Sequence, residues 1–191
     1  MTSKWLAAAI VACTLASAQE VRVDGKVPAF ALQDLAGKIV SFPELSAPAT
    51  VVAFISAECP ISNAFNDRMS ALYKEYAPKG AQFLFVNANA NESTAEIIHH
   101  ARGAGFTFPV YKDLNNRTAD IFGAMATPET YVIDSRGLLK YHGDIDDSSN
   151  AARVKNHGLQ NAIEAVLSNK PVPAAETKAF GCSIKRVRST T

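Results

Sequence analysis

Residues 50–65 read TVVAFISAECPISNAF, and this stretch decides the fold. Its first part, Thr50–Ser56, is a near-continuous run of β-branched and aromatic residues, which is typical of a strand covered on both faces. Cys59 and Pro60 follow, and they open a segment in which apolar residues recur at helical spacing: Ile61, Phe65, Met69, Leu72 and Tyr76. The stretch therefore predicts a buried strand that leads directly into an amphipathic helix, with Cys59 at the junction.

Strand and helix patterns alternate along the rest of the chain. The predicted strands outside this unit are Phe30–Leu32, Lys38–Phe42, Phe83–Val86, Phe106–Tyr111, Tyr131–Ile133 and Leu138–Tyr141. The predicted helices are one that starts at a Ser93/Glu96 capping box, a short one at 116–122 and a last one over 159–167. This order predicts an α/β fold, a mixed β-sheet flanked by helices with an N-terminal β-hairpin extension. Pro109 predicts that its strand lies at an edge of the sheet, because proline cannot donate a ladder hydrogen bond.

The composition is that of an ordinary globular protein. The chain has 191 residues, of which 48% are hydrophobic and 19% charged, which suits one core and is short for two domains. The count of 19 Lys and Arg against 18 Asp and Glu gives a formal net charge of +1, so no nucleic-acid partner is indicated. Beyond the N-terminus, no apolar run is long enough for a stable membrane span.

Residues 1–18 have the pattern of a secretory signal peptide. Lys4 is their only charge, Trp5–Leu15 is apolar, and Ala16–Ala18 supplies the small residues of a cleavage site. We therefore predict cleavage before Gln19 and export to a periplasmic or extracellular compartment.

The cysteines divide between this leader and the mature chain. Cys13 ends a lipobox-like segment, which leaves a lipoprotein as the minority alternative, and cleavage leaves Cys59 and Cys182 in a compartment that permits disulfides. We predict one domain over 19–170 and a C-terminal tail over 171–191 that carries Cys182. The tail resembles a linker followed by a solvated basic cluster, with Lys178, Lys185, Arg186 and Arg188.

Cys59 is the strongest candidate for chemistry. Free N–H groups and the positive end of the helix dipole stabilise a thiolate at a helix start, where a thiol pKa of about 8.5 falls to roughly 3.5–7.5. Pro60 fits the first helical turn, since a backbone donor is not needed there. The alternative is an inert buried cysteine that packs as a small hydrophobic residue.

Two hydroxyls and one distant thiol are the candidate partners of Cys59. Ser56 lies three residues before it and Ser62 three after, and either hydroxyl can donate to a thiolate or to a bound oxygen. Ser62 also stands where a Cys-x-x-Cys motif has its second cysteine, so an internal disulfide cycle needs Cys182. We expect the polar tail to be mobile enough to bring Cys182 to Cys59. A purely structural bridge and a free thiol are the alternatives for Cys182.

The order of these features resembles the thioredoxin fold. The resemblance includes Cys59-Pro60 after a buried strand, Thr127-Pro128 before a strand, and a closing hairpin and helix, and it spans Val27–Leu167. It implies that Cys59 is a nucleophile and that Pro128 is cis and faces it. We expect Pro60, Thr127 and Pro128 to bind the substrate, and the hydroxyls of Ser56 and Ser62 to help position it.

The segment Val27–Asp34 with Gly37-Lys38 resembles the redoxin branch of that fold, the alkyl hydroperoxide reductase/thiol-specific antioxidant (peroxiredoxin-like) family. The peroxiredoxin signature P-x-x-x-T-x-x-C is altered here, because Val52 replaces the proline and Ser56 replaces the threonine. Ser56 keeps the hydroxyl that the family uses to hold peroxide.

Other family features are also altered or undecided. Peroxiredoxins supply an arginine to the thiolate from a later element, and Arg117 and Arg136 are both candidates. Thioredoxins have a Trp before the first cysteine and a buried Asp six before it, where this chain has Glu58 and Ala53. A carboxylate of Glu58 close to the sulfur disfavours the thiolate.

Metal chemistry is set aside, and we expect no metal or organic cofactor. Copper-delivering relatives of this fold have a C-x-x-x-C pair, and Asn63 stands at the second position here. Surface or satisfied histidines are therefore the better interpretation of His99, His100, His142 and His157. Glu129, directly after Pro128, is either a proton acceptor near the sulfur or an ordinary salt-bridging side chain.

These features predict an exported thiol oxidoreductase or antioxidant. Cys59 attacks a peroxide or a protein or small-molecule disulfide, and Cys182 or an external thiol reductant resolves the product. The alternative is a non-enzymatic redoxin-fold scaffold, or binding module, with structural cysteines.

Overall fold

A computed structural model of the chain describes residues 20–188. The proposed leader, its cleavage site and Cys13 lie outside these residues. Among the helices within 20–188, none is long and apolar enough to cross a membrane.

Within the described residues the helices and strands follow the predicted order. The strands are β1 (Phe30–Asp34), β2 (Ile39–Phe42), β3 (Ala49–Ile55), β4 (Ala81–Asn87), β5 (Val110–Lys112), β6 (Ala126–Thr127), β7 (Glu129–Asp134), β8 (Leu139–Gly143) and β9 (Cys182–Ser183). The α-helices are α1 (Pro60–Asn63), α2 (Asn66–Tyr76), α3 (Thr94–Gly103), α4 (Arg117–Phe122) and α5 (Gly158–Leu167). The capping box at the start of α3 is formed, since Ser93 and Glu96 exchange hydrogen bonds with each other's backbone N–H groups.

The main sheet is mixed, as predicted, and its strand order is β2-β1-β5-β4-β3-β7-β8. Strand β3 lies between β4, which is parallel to it, and β7, which is antiparallel. The expectation that the Pro109 strand forms an edge is wrong, because β1 of the N-terminal hairpin pairs with β5. Pro109 lies before the first residue of β5, so its missing N–H group removes no hydrogen-bond donor from the β-ladder.

The helix that was expected from Ile61 to Tyr76 is broken in two. Helix α1 ends at Asn63 and α2 starts at Asn66, with Phe65 as its N-terminal cap residue. Phe65 is fully buried at the break. The break lets α1 follow the end of β3 while α2 packs along the sheet.

Strand β3 separates two hydrophobic cores because its residues alternate between the faces of the sheet. Val51, Ala53 and Ile55 face the core that α2, α3 and α5 cover. Val52 and Phe54 face the core that α4 and the N-terminal hairpin cover. Helices on both faces explain why Thr50–Ser56 has almost no polar residue.

The C-terminal tail is solvated only in part: Lys178, Lys185 and Arg188 are exposed, as predicted, but other described residues of the tail pack on the domain. Ile184 is 6% exposed and packs in the second core, and its N–H donates to the carbonyl of Met125. Lys185 donates its N–H to Asn89 Oδ1 at 2.9 Å. Arg186, predicted to be solvated, pairs with Asp120. Tertiary contacts therefore override the polar composition of this segment.

We predict that Phe54→Ala lowers the free energy of unfolding by about 3–5 kcal/mol, the usual cost of a phenylalanine-sized cavity. Phe54 is fully buried and meets the rings of Phe122 and Tyr131 edge-on at centroid distances of 6.1 and 5.8 Å. Urea denaturation measures the change. Ile39→Ala is the control, because Ile39 is 52% exposed and its loss is expected to cost about 0.5 kcal/mol or less. Equal losses in the two variants would contradict the assignment of the second core.

Candidate active site

Cys59 lies where β3 ends and α1 begins. It is the N-cap residue of α1, is 3% exposed, and its Sγ accepts the backbone N–H of Ser62 at 3.3 Å. The same Sγ lies 3.3 Å from the carbonyl oxygen of Thr127. Pro60 occupies the first position of the helix, where no intrahelical donor is required. The N–H contact stabilises negative charge on the sulfur when the cysteine is reduced.

Cys182 is disulfide-bonded to Cys59 in the structure. The two Cα atoms are 5.9 Å apart, within the ordinary range for a disulfide, and 123 residues separate them in the sequence. The bond lies within one chain. Strand β9, which carries Cys182, pairs antiparallel with β6, so that Thr127 faces Cys182 and Ala126 faces Ser183. The cysteines are thus brought together by strand pairing of the tail.

The peptide bond between Thr127 and Pro128 is cis. Thr127 is fully buried, and its carbonyl lies against both the sulfur of Cys59 and the backbone of Gly181. A Cβ atom at Gly181 would lie 1.9 Å from the oxygen of Thr127. Only glycine fits at this position without moving the tail away from Cys59.

Ser56 is held by a buried carboxylate. Its hydroxyl donates to Glu92 Oε1 and accepts the N–H groups of Glu58 and Cys59, at 3.2 and 3.0 Å respectively. Glu92 Oε2 also accepts the N–H of Ala57 at 2.7 Å. Because its proton faces Glu92, the Ser56 hydroxyl holds the loop before Cys59 in this structure rather than donating to the sulfur.

Glu92 belongs to a buried polar cluster that sequence reasoning missed. It is 2% exposed, and Asn87 Nδ2 donates to its Oε2 at 2.5 Å. Lys112, 8% exposed, donates to the backbone oxygens of Glu92 and Asn89 at 2.7 and 2.5 Å. Burial lowers the pKa of Lys112, and the charge of Glu92 partly opposes that shift. The sequence held a signal for this cluster. Asn87 ends β4 and Lys112 ends β5, and residues at the carboxyl ends of adjacent parallel strands meet at the same edge of the sheet.

Glu129 accepts hydrogen bonds from the backbone at the start of β6 and not from the thiol of Cys59. Its Oε2 accepts the N–H groups of Met125 and Ala126 at 2.7 and 2.8 Å, and its Oε1 lies 2.6 Å from Nε2 of His142. Tyr131 Oη donates to the same Oε1 at 3.0 Å. Burial raises the pKa of Glu129, but the hydrogen bonds from His142, Ala126 and Met125 outweigh it and lower the pKa below 4.5.

The remaining candidates lie at separate places in the fold. Ser62 is buried and its hydroxyl accepts the N–H of Ser56 at 3.1 Å, so it too holds the loop. Arg136 pairs with Asp134 in the β7–β8 turn, and its side chain is 70% exposed. Arg117 is exposed at the start of α4. Glu58 accepts a hydrogen bond from Asn91 at 2.8 Å.

The four histidines that were weighed as metal ligands do not converge on one site. His142 bonds Glu129, and His157 lies 2.7 Å from Asp146. His99 and His100 line a groove of about 690 Å³ between α1 and α3, next to Ala57. Burial lowers the pKa of His100 from its ordinary 6.5.

A smaller depression of about 190 Å³ opens onto the disulfide itself. It is lined by Ser56, Glu58, Cys59, Asn89, Asn91, Glu92, Cys182, Ser183 and Lys185. Cys182 is partly exposed there, whereas Cys59 lies beneath it. Among the described residues, this depression gives a route from solvent to the cysteine pair.

The sequence matches the AhpC/TSA family over residues 23–142. The thiol-disulfide oxidoreductase ResA of Halalkalibacterium halodurans is 31% identical over 114 residues, which are 59% of this chain and 64% of that protein. The thioredoxin-like protein YneN of Bacillus subtilis is 27% identical over 115 residues, 60% of this chain and 67% of the relative. The chain thus spans about two thirds of the length of these relatives.

Solved structures give the same fold over most of the chain. An uncharacterised conserved protein of Geobacillus kaustophilus superposes with a TM-score of 0.81 at 30% identity, covering 88% of this chain and 94% of that one. A putative thiol:disulfide interchange protein DsbE of Chlorobium tepidum superposes with a TM-score of 0.65 at 21% identity, covering 78% and 99%. These neighbours confirm the thioredoxin-like fold.

We predict that Gly181→Ala weakens the Cys59–Cys182 disulfide. An overpacked contact costs about 1–3 kcal/mol, so the equilibrium constant for closing the disulfide should fall roughly 5- to 150-fold. Titration against a glutathione redox buffer measures it. Gly103→Ala is the control, since a Cβ there meets nothing within 4 Å. An unchanged constant in Gly181→Ala would show that the tail position does not control this bond.

We also predict that Glu129→Gln flattens the acid limb of the stability curve. The folded-state pKa is lowered, so the stabilisation is complete above the unfolded value and is lost as the pH falls below 4.5 through the folded value. At neutral pH the variant should lose roughly 1–3 kcal/mol of unfolding free energy. Urea denaturation at several pH values measures both effects. Glu44→Gln, at an exposed position, is the control, and identical curves for the two variants would rule out this role for Glu129.

Proposed function

This chain belongs to the AhpC/TSA family, and on that premise we propose that it is an exported thiol oxidoreductase whose redox couple is Cys59 and Cys182. The observation that carries the proposal is the approach of the two cysteines, whose Cα atoms are 5.9 Å apart although 123 residues lie between them. The names of the relatives, thiol-disulfide oxidoreductase and thioredoxin-like protein, agree with it.

Cys59 acts as the nucleophile of the cycle. The N–H of Ser62 at 3.3 Å stabilises its thiolate, and the loop that presents it is fixed by Ser56 and Glu92. The thiolate attacks a sulfur of a disulfide, which forms a mixed disulfide and releases the other sulfur as a thiolate. Cys182 then attacks Cys59, closes the internal disulfide and releases the second product thiol.

We propose disulfide exchange as the reaction, in agreement with the name of the relative ResA, a thiol-disulfide oxidoreductase. In the peroxiredoxin-like alternative, Ser56 donates to a peroxide oxygen, but its proton faces Glu92 here. Peroxide is the second candidate oxidant because Cys59 is only 3% exposed, which favours small reactants. In that reaction the thiolate takes the distal oxygen, giving a sulfenic acid and an alcohol or water, and Cys182 condenses with the sulfenic acid to release water.

The proposal also includes export of the chain and a functional role for its C-terminal tail. Residues 1–18 act as the leader, and the mature chain keeps Cys59 and Cys182 as its cysteines. An oxidising compartment suits a protein whose cysteines form a disulfide. Residues 171–191 act as a functional arm of the domain rather than as a separate unit.

The test compares reduced variants with oxidised glutathione and with hydrogen peroxide as oxidants. Cys59→Ser should react with both oxidants much more slowly, through the thiol of Cys182 alone, whereas Cys182→Ser should react once and stop at a mixed disulfide or sulfenic acid. Ala31→Ser, at an exposed position of β1, should behave as the wild type. Stopped-flow thiol assays and mass spectrometry give the rates and products.

Full activity in Cys59→Ser would contradict the proposal and favour a scaffold with structural cysteines. A faster reaction with peroxide than with oxidised glutathione would assign the peroxide branch. A faster reaction with oxidised glutathione would assign the disulfide branch.

A further inference from the structure

We propose that the C-terminal tail forms a basic docking groove for an acidic polypeptide segment, next to the Cys59–Cys182 disulfide. The groove holds residues that flank the cysteine of a substrate. The inference rests on the proposed function and adds the chemical class of its substrate, a cysteine-containing chain that is rich in carboxylates.

The docking groove runs along the last described residues of the tail. It is lined by Ala90, Asn91 and residues 183–188, and its volume is about 710 Å³. Ligand sites in proteins commonly have volumes of about 300–1,000 Å³. The groove is therefore large enough to receive several residues of a partner.

The docking groove continues into the disulfide site. The depression of about 190 Å³ that contains Cys59 and Cys182 shares three lining residues with it, namely Asn91, Ser183 and Lys185. A segment bound in the groove therefore brings a cysteine at its end close to the redox pair.

The charged side chains of the docking groove have one sign. They are Lys185, Arg186 and Arg188, and among residues 20–188 no Asp or Glu lines the groove. Arg186 pairs with Asp120, which balances its charge. Lys185 and Arg188 are exposed and form no ion pair within the described residues. These two cations are thus complementary to carboxylates of a partner.

The nearest exposed carboxylate lies at the disulfide rather than in the groove. Glu58 lines the smaller depression, where it accepts a hydrogen bond from Asn91 at 2.8 Å. A negative charge there repels a carboxylate directly beside the substrate cysteine. The acidic residues of the segment therefore lie a few positions away from that cysteine, opposite Lys185 and Arg188.

Exposed apolar side chains favour a polypeptide over a small anion. Val187 lines the groove and is 49% exposed. Met125 is 67% exposed, and its Sδ lies 4.0 Å from Nη2 of Arg186. Exposed apolar side chains that lie together with polar ones are typical of interaction surfaces. A chain in which apolar and acidic residues alternate contacts both kinds of group, and a concave site suits a chain better than a planar lipid surface.

Hydrogen bonds fix the backbone that carries the two cations. The N–H of Lys185 donates to Asn89 Oδ1 at 2.9 Å, and its carbonyl accepts the N–H of Ala90 at 2.8 Å. The N–H of Val187 donates to Asn116 Oδ1 at 2.7 Å. Because this backbone is already ordered, a partner loses less free energy to ordering the tail when it binds.

The experiment measures peptide binding to the oxidised full-length protein by fluorescence anisotropy. One peptide alternates glutamate and valine on one side of a serine that replaces the cysteine, and the matched peptide has glutamine in place of glutamate. Both carry the same uncharged dye. At low salt we expect the glutamate peptide to bind about tenfold more tightly. The difference should disappear near 1 M salt, where the screening length is about 3 Å.

Two double variants test whether the groove carries the effect. Lys185→Gln with Arg188→Gln should weaken binding of the glutamate peptide about fivefold, since exposed ion pairs each contribute modestly. Lys170→Gln with Lys178→Gln removes the same charge at exposed positions outside the groove and should keep the wild-type affinity. In NMR spectra, the glutamate peptide should shift the backbone amides of residues 90–91 and 183–188 most strongly.

No binding of the glutamate peptide, or equal affinities for the two peptides, would overturn the proposal. Equal losses in the two double variants would also overturn it, because net charge would then explain the binding. Vesicles that contain phosphatidylglycerol form a further arm, and binding to them without binding to the peptide would assign the groove to a lipid surface instead. The peptides have no cysteine, so none of these results touches the redox couple, which fails if Cys59→Ser reacts with the oxidants at the wild-type rate.

Discussion

The site depends on the pairing of two short strands that are far apart in the sequence. Strand β9 lies along β6, and this contact places Cys182 on Cys59 at a Cα separation of 5.9 Å. Each strand is only two residues long, so the pairing is held mainly by its surroundings. Glu129 accepts the N–H groups of Met125 and Ala126 at the start of β6, and burial of Ile184 fixes the chain after β9.

A second set of contacts fixes the other cysteine. Glu92 is buried, and its carboxylate binds Ser56, Ala57 and Asn87, while Lys112 binds the backbone beside it. A buried carboxylate without such partners would be strongly destabilising. The hydrogen bonds from Glu92 to the loop before α1 keep the N–H of Ser62 directed at the sulfur of Cys59. The polar cluster therefore positions the Cys59 thiol without contacting it.

Much of the fold follows from local patterns. Thr50–Ser56 predicts β3 because a strand buried on both faces needs apolar residues at every position. The capping box at Ser93 predicts the start of α3 equally well. The strand at Pro109 was misplaced because pairing with β1 depends on a distant hairpin, and no local pattern encodes that partner.

The site was predictable only in part. A cysteine that follows a buried strand and starts a helix is a local signal, and it identifies Cys59. The tail over 171–191 contains many polar and basic residues, so its overall composition indicates solvent. Its partners, such as Asn89 and Met125, come from other loops. Glu92 and Lys112 were missed for a similar reason, since charged residues are rarely buried unless the fold supplies their partners.

We propose that Cys59 and Cys182 form one redox couple within a single chain. The most direct measurement treats the reduced full-length protein with one equivalent of oxidised glutathione or hydrogen peroxide, alkylates the free thiols and maps both cysteines by mass spectrometry. The predicted result is rapid formation of an intramolecular Cys59–Cys182 disulfide. Cys59 that stays an unmodified thiol after long exposure to both oxidants would contradict the claim.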